Sequence, residues 1–207
     1  IELLIMNTTS IVLAGGRSSR LGRDKVRENL GAESLLQRVL HRIRPLGNEI
    51  LVVVREETPA PLPLPPDTPV RIVTDVYPGR GALGGLYSGL LASKTQYNLV
   101  LGCDMPFLNL ELLRYILKVA EGFDVAVPRL REFLEPLHSA YSRSCLETIE
   151  PLVKLGQYPI YDFFSDVATR YVEAHEIDRF DPQHLSFLNI NNEDDLQRAR
   201  SLYEQGL

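Results

Sequence analysis

The sequence has few cysteines, no excess of positive charge and no long apolar segment. Its 207 residues include only two cysteines, Cys103 and Cys145, too few for a disulfide framework and not spaced like metal ligands. The formal net charge is -5, so no general basic surface indicates nucleic-acid binding. No apolar run approaches the roughly 20 residues of a membrane helix. These absences predict a cytoplasmic protein that binds neither nucleic acid nor a membrane.

The length and composition fit one globular domain that spans residues 1–207. Hydrophobic residues make up 44% of the chain, which is enough for a full core. Residues 1–6 are apolar but too short for a signal peptide, and we expect them to be upstream or added sequence before a natural start at Met6. The proline-rich segment 59–69 is expected to be a surface loop, because strand-like segments of the same style flank it.

Strand-like and helix-like segments alternate along the chain. The predicted strands are Ser10 to Ala14, Ile50 to Val54, Val70 to Thr74, Tyr97 to Gly102, Asp124 to Pro128, Leu137 to Ser142 and one near Tyr171. The predicted helices cover residues 35–46, 84–92, 110–120, 144–155, 159–167 and 193–204, and Asn109 and Asn192 are expected to cap two of them. Because no helix precedes residue 137, that strand is expected to be antiparallel. The pattern predicts a single three-layer α/β/α domain with a mostly parallel, Rossmann-like sheet and ligands at the carboxyl ends of its strands.

The segment LAGGRSSRLGRDK, residues 13–25, follows the first predicted strand. Its glycines, which include Gly15 and Gly16, allow a ligand to approach the backbone closely. Positive charge is concentrated in this segment and just beyond it, in Arg17, Arg20, Arg23, Lys25 and Arg27. Amides and cations together can replace the water around a triphosphate, although a glycine turn with a solvated basic loop would look the same. The segment is not a Walker loop, because no glycine precedes Lys25 directly and no Ser or Thr follows it.

Two aspartates stand at the ends of predicted strands. Asp104 follows an apolar strand in CDMPF, where a carboxylate can hold Mg²⁺ that also contacts triphosphate oxygens. Asp75 closes the third strand in the same way. The alternatives are a helix or turn cap for Asp104 and a turn residue for Asp75.

The segment 13–25 resembles the LAGGxSxRMGxDK signature of the MobA-type molybdenum cofactor guanylyltransferases, within the wider nucleotidyltransferase superfamily of the nucleotide-diphospho-sugar transferase fold. The resemblance implies that Leu13, Ala14, Gly15 and Gly16 contact the guanine nucleotide and that Lys25 and Arg20 contact its phosphates. It also implies that Asp104, in the family's Asp-x-Pro motif, binds Mg²⁺ and the nucleotide.

The resemblance extends through later motifs to residue 196. YPGRGALGG is similar to the family's glycine-rich segment, which implies that Asp75 and Gly84 lie at the nucleotide. FLNINN is similar to the family's F-x-N-x-N ending, which implies that Asn189 and Asn191 contact the acceptor. His138 also matches the family, but a histidine on a strand is more often structural. The chain departs from the family at residues 26–29, at residues 156–159 and at Arg55, where relatives often carry asparagine.

The resemblance implies an enzyme that transfers GMP from GTP to the terminal phosphate of molybdopterin or the molybdenum cofactor and releases pyrophosphate. Mg²⁺ is the expected cofactor, and molybdoenzymes or cofactor-delivery proteins are the expected protein partners. A cytidylyl- or sugar-phosphate nucleotidyltransferase is the nearest alternative. A dinucleotide-binding Rossmann protein is the other, because residues 79–84 read G-x-G-x-x-G. The five residues between the third strand and Gly79 disfavour it, since that fingerprint requires an immediate turn.

Overall fold

The computed structural model describes residues 7–14, 25–55, 61–156 and 159–207. Within them the chain forms an eight-stranded sheet and a separate two-stranded hairpin. The strands are β1 (Thr9–Leu13), β2 (Asn29–Leu30), β3 (Glu33–Ser34), β4 (Glu49–Val54), β5 (Arg71–Thr74), β6 (Tyr97–Gly102), β7 (Val125–Leu130), β8 (Phe133–Leu134), β9 (His138–Ser142) and β10 (Thr169–Glu173). The large sheet has the order β10-β7-β9-β6-β1-β4-β5, with β8 beside β7, and β2 and β3 form the hairpin.

β1 lies inside the parallel part of the large sheet. It pairs in parallel with β4 on one side and with β6 on the other, and β5 continues the parallel arrangement beyond β4. Ile11 and Val12 are fully buried, as expected for a parallel strand that is covered on both faces. β9 runs antiparallel to both β6 and β7, which confirms the antiparallel strand predicted at residues 137–142.

Helices cover both faces of the sheet. They are α1 (Leu35–Ile43), α2 (Gly81–Ala92), α3 (Leu110–Val119), α4 (Cys145–Leu155), α5 (Ala174–Ile177) and α6 (Glu193–Glu204). Val12 shares a core cluster with residues of α1 and α3, whereas Ile11 shares a cluster with residues of α2 and α4. Because neighbouring residues of a strand point to opposite faces, this division confirms the predicted three layers. Among the described residues, no helix is long and apolar enough to span a bilayer.

Side chains at the helix starts explain where three of the helices begin. Asn109 accepts a hydrogen bond from the Leu112 amide at 3.0 Å, and Asn192 accepts one from the Asp195 amide at 2.9 Å, so both predicted caps are confirmed. Ser34 forms a capping box with Gln37 at the start of α1. Each cap satisfies an amide that has no partner within its own helix.

A third apolar cluster joins the end of the chain to the hairpin. Leu196 and Ala199 of α6 are fully buried with Leu30 of β2 and with Ile190. Ile190 belongs to the segment FLNINN, and its amide donates a hydrogen bond to the carbonyl oxygen of Asp104 at 3.0 Å. The packing of α6 therefore places this segment beside the end of β6.

Residues 159–167 do not form the predicted helix. The only helical element within residues 159–167 is the short 3-10 helix Phe164–Asp166. Phe163 and Phe164 are buried, and both rings lie within 6.4 Å of the Tyr141 ring centroid. Packing of these rings against the core determines the backbone conformation of this segment. This tertiary packing overrides the weak helical preference of the sequence. The hairpin, β8 and α5 are short elements that the sequence pattern did not predict.

Gly89 controls how closely α2 approaches β1. A Cβ atom there would lie 2.5 Å from Ile11 Cγ2 and 3.3 Å from Val53 Cγ2. We expect Gly89→Ala to lower the free energy of unfolding by about 2 kcal/mol, because an overpacking cost of roughly 3 kcal/mol exceeds a helix-propensity gain of roughly 1 kcal/mol. Urea denaturation measures this change.

The same substitution at Gly85 provides the matched control. A Cβ atom at Gly85 would lie 3.4 Å from the nearest Leu13 atoms, which is ordinary van der Waals contact. Gly85→Ala should therefore leave the free energy of unfolding unchanged or raise it by up to about 1 kcal/mol. Equal destabilisation by both substitutions would contradict a steric role that is specific to Gly89.

Candidate active site

The carboxyl ends of β1, β4, β5 and β6 meet beside a cavity of about 430 Å³. Five residues predicted from the sequence line it, namely Leu13, Ala14, Lys25, Asp75 and Asp104. This volume is within the range of small-molecule sites in proteins. The position agrees with the rule that open α/β sheets bind ligands beyond the carboxyl ends of their strands.

Leu13 and Ala14 form the wall of the cavity at the end of β1. The Ala14 amide donates to the Val53 carbonyl oxygen at 2.8 Å, and the Cys103 amide donates to the Leu13 carbonyl oxygen at 3.3 Å. These bonds hold the chain in register with β4 and β6 just before the glycine-rich segment. Gly15, Gly16 and Arg20 lie outside the described residues, so their nucleotide and phosphate roles stay predictions.

The Lys25 side chain forms hydrogen bonds with two other residues that the sequence predicted for the site. Its Nζ atom donates a hydrogen bond to Asp104 Oδ2 at 2.9 Å and another to Asn191 Oδ1 at 2.7 Å. The side chains of Lys25 and Asp104 retain 16% and 19% of their exposure, respectively, so the ion pair is partly shielded from water. The structure therefore gathers residues from three distant parts of the sequence into one polar corner of the cavity.

Local structure fixes the geometry of this corner. Lys25 begins the 3-10 helix Lys25–Arg27, which is anchored by the buried Val26. Asp104 follows β6 by two residues, and a Cβ atom on Gly102 would lie only 2.6 Å from Asp104 Oδ1. A side chain at position 102 would therefore displace the carboxylate from its present position. The hydrogen bond from Ile190 to the Asp104 carbonyl oxygen brings Asn191 within reach.

Asp75 lines the cavity and also organises a turn. Its Oδ1 atom accepts hydrogen bonds from the Tyr77 amide at 2.9 Å and from Ser88 Oγ at 2.7 Å. Asp75 is therefore a turn residue, which is the alternative that the sequence left open. Its contact with the nucleotide stays a prediction. Gly84 does not line the cavity. A Cβ atom there would lie 2.8 Å from the Tyr77 carbonyl oxygen, so Gly84 allows α2 to pack against this turn.

Asn189 and His138 lie apart from the Lys25 contacts. Asn189 Nδ2 donates to the nearby Phe187 carbonyl oxygen at 3.3 Å, and its contact with an acceptor stays a prediction. His138 is fully buried, its ring centroid lies 4.5 Å from that of Phe187, and its Nε2 lies 3.4 Å from Ser186 Oγ. Burial lowers the pKa of His138 to about 3, so the ring is neutral and supports the segment before α6 structurally.

The cavity wall also includes residues that the motifs did not identify as ligand contacts. They include Val53, Val54, Arg55, Gly79, Gly81 and Leu137. Val53, Val54 and Arg55 lie at the carboxyl end of β4 or just beyond it, so knowledge of the strand order would have identified these three. Arg55 was noticed only because it departs from the family pattern.

The described residues provide a cation, a carboxylate and an amide at one corner of a cavity whose walls carry both apolar and polar side chains. They contain no cluster of three or more His, Cys, Asp or Glu side chains that could hold a metal by themselves. A single carboxylate is nevertheless typical of a Mg²⁺ site that the oxygens of a bound phosphate complete. The arrangement is suited to bind a phosphorylated ligand and to offset negative charge as it develops.

Comparison with known proteins identifies the family. Residues 10–172 match the family described as the MobA-like NTP transferase domain. A probable molybdenum cofactor guanylyltransferase from Pelotomaculum thermopropionicum is 33% identical over 97% of this chain and 95% of its own length. A molybdenum cofactor guanylyltransferase from Syntrophotalea carbinolica is 31% identical over 93% of this chain and 90% of its own length.

Solved structures agree with the family match. Molybdopterin-guanine dinucleotide biosynthesis protein A from Archaeoglobus fulgidus superposes with a TM-score of 0.81, at 26% identity over 95% of this chain and 99% of that chain. The 2-C-methyl-D-erythritol 4-phosphate cytidylyltransferase from Thermus thermophilus reaches a TM-score of 0.69 at 17% identity, over 94% of this chain and 98% of that chain, which shows the shared fold alone. The resemblance in the sequence motifs is thus confirmed, and the chain belongs to the MobA-like NTP transferase family of nucleotidyltransferases.

Proposed function

We propose that the protein transfers GMP from GTP to the terminal phosphate of molybdopterin or of the molybdenum cofactor. The products would be the guanine dinucleotide form of the cofactor and pyrophosphate. Curated relatives that match more than nine-tenths of the chain carry the name molybdenum cofactor guanylyltransferase. The structural observation that supports the proposal most strongly is the contact of Lys25 Nζ with both Asp104 Oδ2 and Asn191 Oδ1 at the cavity.

The reaction requires one bond to form and one to break at phosphorus. A terminal phosphate oxygen of the acceptor attacks the α-phosphorus of GTP, and the bond from that phosphorus to the bridging oxygen of pyrophosphate breaks. The leaving oxygen keeps the bonding electron pair. Because a phosphate monoester is already largely dianionic near neutral pH, with a second pKa of about 6, the attack needs no strong general base.

The protein contributes mainly position and charge to such a step. The Lys25 ammonium would leave its present partners in part and offset the negative charge that builds on the departing pyrophosphate. Arg20 is expected to act in the same way from the glycine-rich segment. Asn191 would keep the Lys25 side chain directed into the cavity, and we also expect it to contact the acceptor.

Mg²⁺ fits the oxygen atoms of this corner. Asp104 offers a hard carboxylate oxygen, and Mg²⁺ in nucleotide enzymes commonly uses one or two carboxylates together with substrate phosphates and water. Asp104 would therefore hold the ion, which would supply neutralising charge to the triphosphate when bound. Molybdoenzymes or cofactor-delivery proteins are the proposed partners, and the cytoplasm is the proposed location.

A nucleotide screen tests this function directly. GTP with Mg²⁺ should raise the melting temperature more than ATP, CTP or UTP at equal concentration, because a ligand that binds only the folded state stabilises it. Pyrophosphate should then appear only when GTP and molybdopterin are both present, and removal of Mg²⁺ with EDTA should stop its release. A clear preference for CTP would assign the protein to the cytidylyltransferases. A response to NAD alone would support the Rossmann alternative.

A further inference from the structure

A second cavity lies beside the loop that follows Asp104. Its volume is about 370 Å³, which is within the range of small-molecule sites. The end of α1, the residues before α3, the segment before FLNINN and residues 206–207 form its wall. Among the described residues, none lines both this cavity and the active-site cavity. The second cavity is therefore a separate place for a ligand.

Arg42 brings a positive charge to the wall of the second cavity. Within the described part of the chain its guanidinium group forms no direct hydrogen bond or ion pair, although Glu33 attracts it from farther away. Partial burial lowers the pKa of Arg42, and the charge of Arg38 lowers it further. Arginine still stays protonated near neutral pH, so this charge is available to an anion.

Arg38 adds a second positive charge one helical turn before Arg42. It is only 8% exposed, and its Nε atom has no hydrogen-bond partner among the described residues. Its ion pair with Glu33 is long, at 3.9 Å. Two of its other neighbours, Phe107 and Leu207, line the second cavity. Because a buried charge with incomplete partners is costly, an anion in this cavity would be attracted by both arginines.

Much of the remaining wall is apolar. Phe107 is buried and Leu185 is half-buried, and both line the cavity. Asp181 also lines it, but its carboxylate oxygens accept hydrogen bonds from the Leu185 amide at 3.1 Å and the Ser186 amide at 2.7 Å. These amides offset its negative charge. The wall is therefore suited to the apolar body of a ligand whose charged group contacts Arg42.

The second cavity also touches the two segments that carry Asp104 and Asn191. Phe107 belongs with Asp104 to the segment CDMPF. Asn109, which lines the cavity, donates from its amide to Ser186 Oγ at 2.8 Å and so joins this loop to the segment before Asn191. A ligand in the second cavity would contact both segments and leave the active-site cavity open.

We propose that the second cavity binds a small organic anion, with a carboxylate or phosphate group on Arg42 and an apolar body against Phe107 and Leu185. The planar guanidinium group can donate two parallel hydrogen bonds to either anionic group. This site goes beyond the proposed transfer of GMP and does not depend on it.

Titration of the whole chain with simple anions tests the proposal. Isothermal titration without nucleotide would compare phenyl phosphate, benzoate, inorganic phosphate and benzyl alcohol. Phenyl phosphate or benzoate should bind with a Kd of about 1 mM, and the tighter of the two identifies the preferred anionic group. Inorganic phosphate and benzyl alcohol each lack one half of the ligand, so they should bind at least about 10-fold more weakly. In NMR spectra the side-chain amide signals of Asn109 and Gln183 should shift during the titration.

Three variants locate the binding. Arg42→Gln keeps hydrogen-bond donors but removes the charge, and it should weaken binding about 10-fold or more without lowering the melting temperature, because Arg42 is exposed. Arg44→Gln removes the same charge from the end of the same helix, where Arg44 pairs with Asp67, and it should bind like the parent. Lys25→Ala should also bind these anions like the parent, because Lys25 lies at the other cavity.

Four results would overturn the proposal. They are no binding at about 10 mM of either organic anion, parent-like binding by Arg42→Gln, loss of binding in Lys25→Ala, and equal binding of benzyl alcohol or inorganic phosphate. Loss in Lys25→Ala would place the anion in the active-site cavity. Equal binding of benzyl alcohol would remove the role of the charge, and equal binding of inorganic phosphate would remove the role of the apolar wall. None of these results changes the test of GMP transfer, which pyrophosphate release measures separately.

Discussion

Asp104→Asn is expected to reduce the rate of nucleotidyl transfer by about 100-fold or more, which corresponds to roughly 3 kcal/mol of lost transition-state stabilisation. Asparagine keeps the size of the side chain and one neutral oxygen, but it removes the charge that would hold Mg²⁺ and that now pairs with Lys25 at 2.9 Å. The measurement is pyrophosphate release from GTP with molybdopterin as acceptor. The variant should still bind some GTP, because the base and sugar contacts do not depend on this carboxylate.

The controls for Asp104→Asn distinguish a metal role from a structural one. Asp67→Asn removes a carboxylate from an exposed ion pair with Arg44, and a surface pair contributes little, so that variant should retain full activity. Excess Mg²⁺ should recover part of the activity of Asp104→Asn if weak ion binding causes the loss. Near-normal turnover would exclude the metal role, and a large fall in melting temperature would show that Asp104 is a structural cap.

The strands of the fold, and the edge of the sheet that carries the site, could be predicted from the sequence. Each strand is specified by residues that are neighbours along the chain. Runs such as Ile50–Val54 are apolar, are bounded by turn residues and have the length of buried strands. The parallel arrangement then places strand ends at one edge, so Asp75 and Asp104 were expected on one cavity. The antiparallel β9 could also be predicted, since the short connection before it leaves no space for a crossover helix.

Contacts between distant segments could not be predicted from patterns. Lys25 and Asn191 are separated by 166 positions, and only the packing of α6 on the hairpin brings them together. The buried Nε of Arg55 depends equally on how the turn at Gly79 is placed. At residues 159–167 the local pattern predicted a helix that the structure does not contain. The burial of two phenylalanine rings determines the conformation of this segment instead.

Lys25→Ala is expected to weaken GTP binding and to slow turnover together. The ammonium makes two charge-assisted hydrogen bonds in the present structure, and hydrogen bonds to charged groups contribute about 1.5–3 kcal/mol. Loss of the equivalent bonds to the triphosphate should raise the Kd for GTP about 10- to 100-fold. Folding should be nearly unchanged, because the loss of one partly exposed lysine side chain lowers the free energy of unfolding only slightly. Lys154→Ala, which breaks an exposed pair with Glu150, is the matched control and should behave like the parent.

Asn191→Ala shows whether the amide acts through Lys25. If Asn191 only directs the ammonium, its loss should raise the Kd for GTP by a smaller factor, roughly 3- to 10-fold, since one neutral acceptor contributes about 0.5–1.5 kcal/mol. The double variant Lys25→Ala with Asn191→Ala should then bind GTP like Lys25→Ala alone, because neighbouring residues that act together are not additive. Additive losses would show that Asn191 contacts the nucleotide independently. Parent-like GTP binding by Lys25→Ala would remove the phosphate role from Lys25 altogether, and with it the main structural support for the proposed reaction.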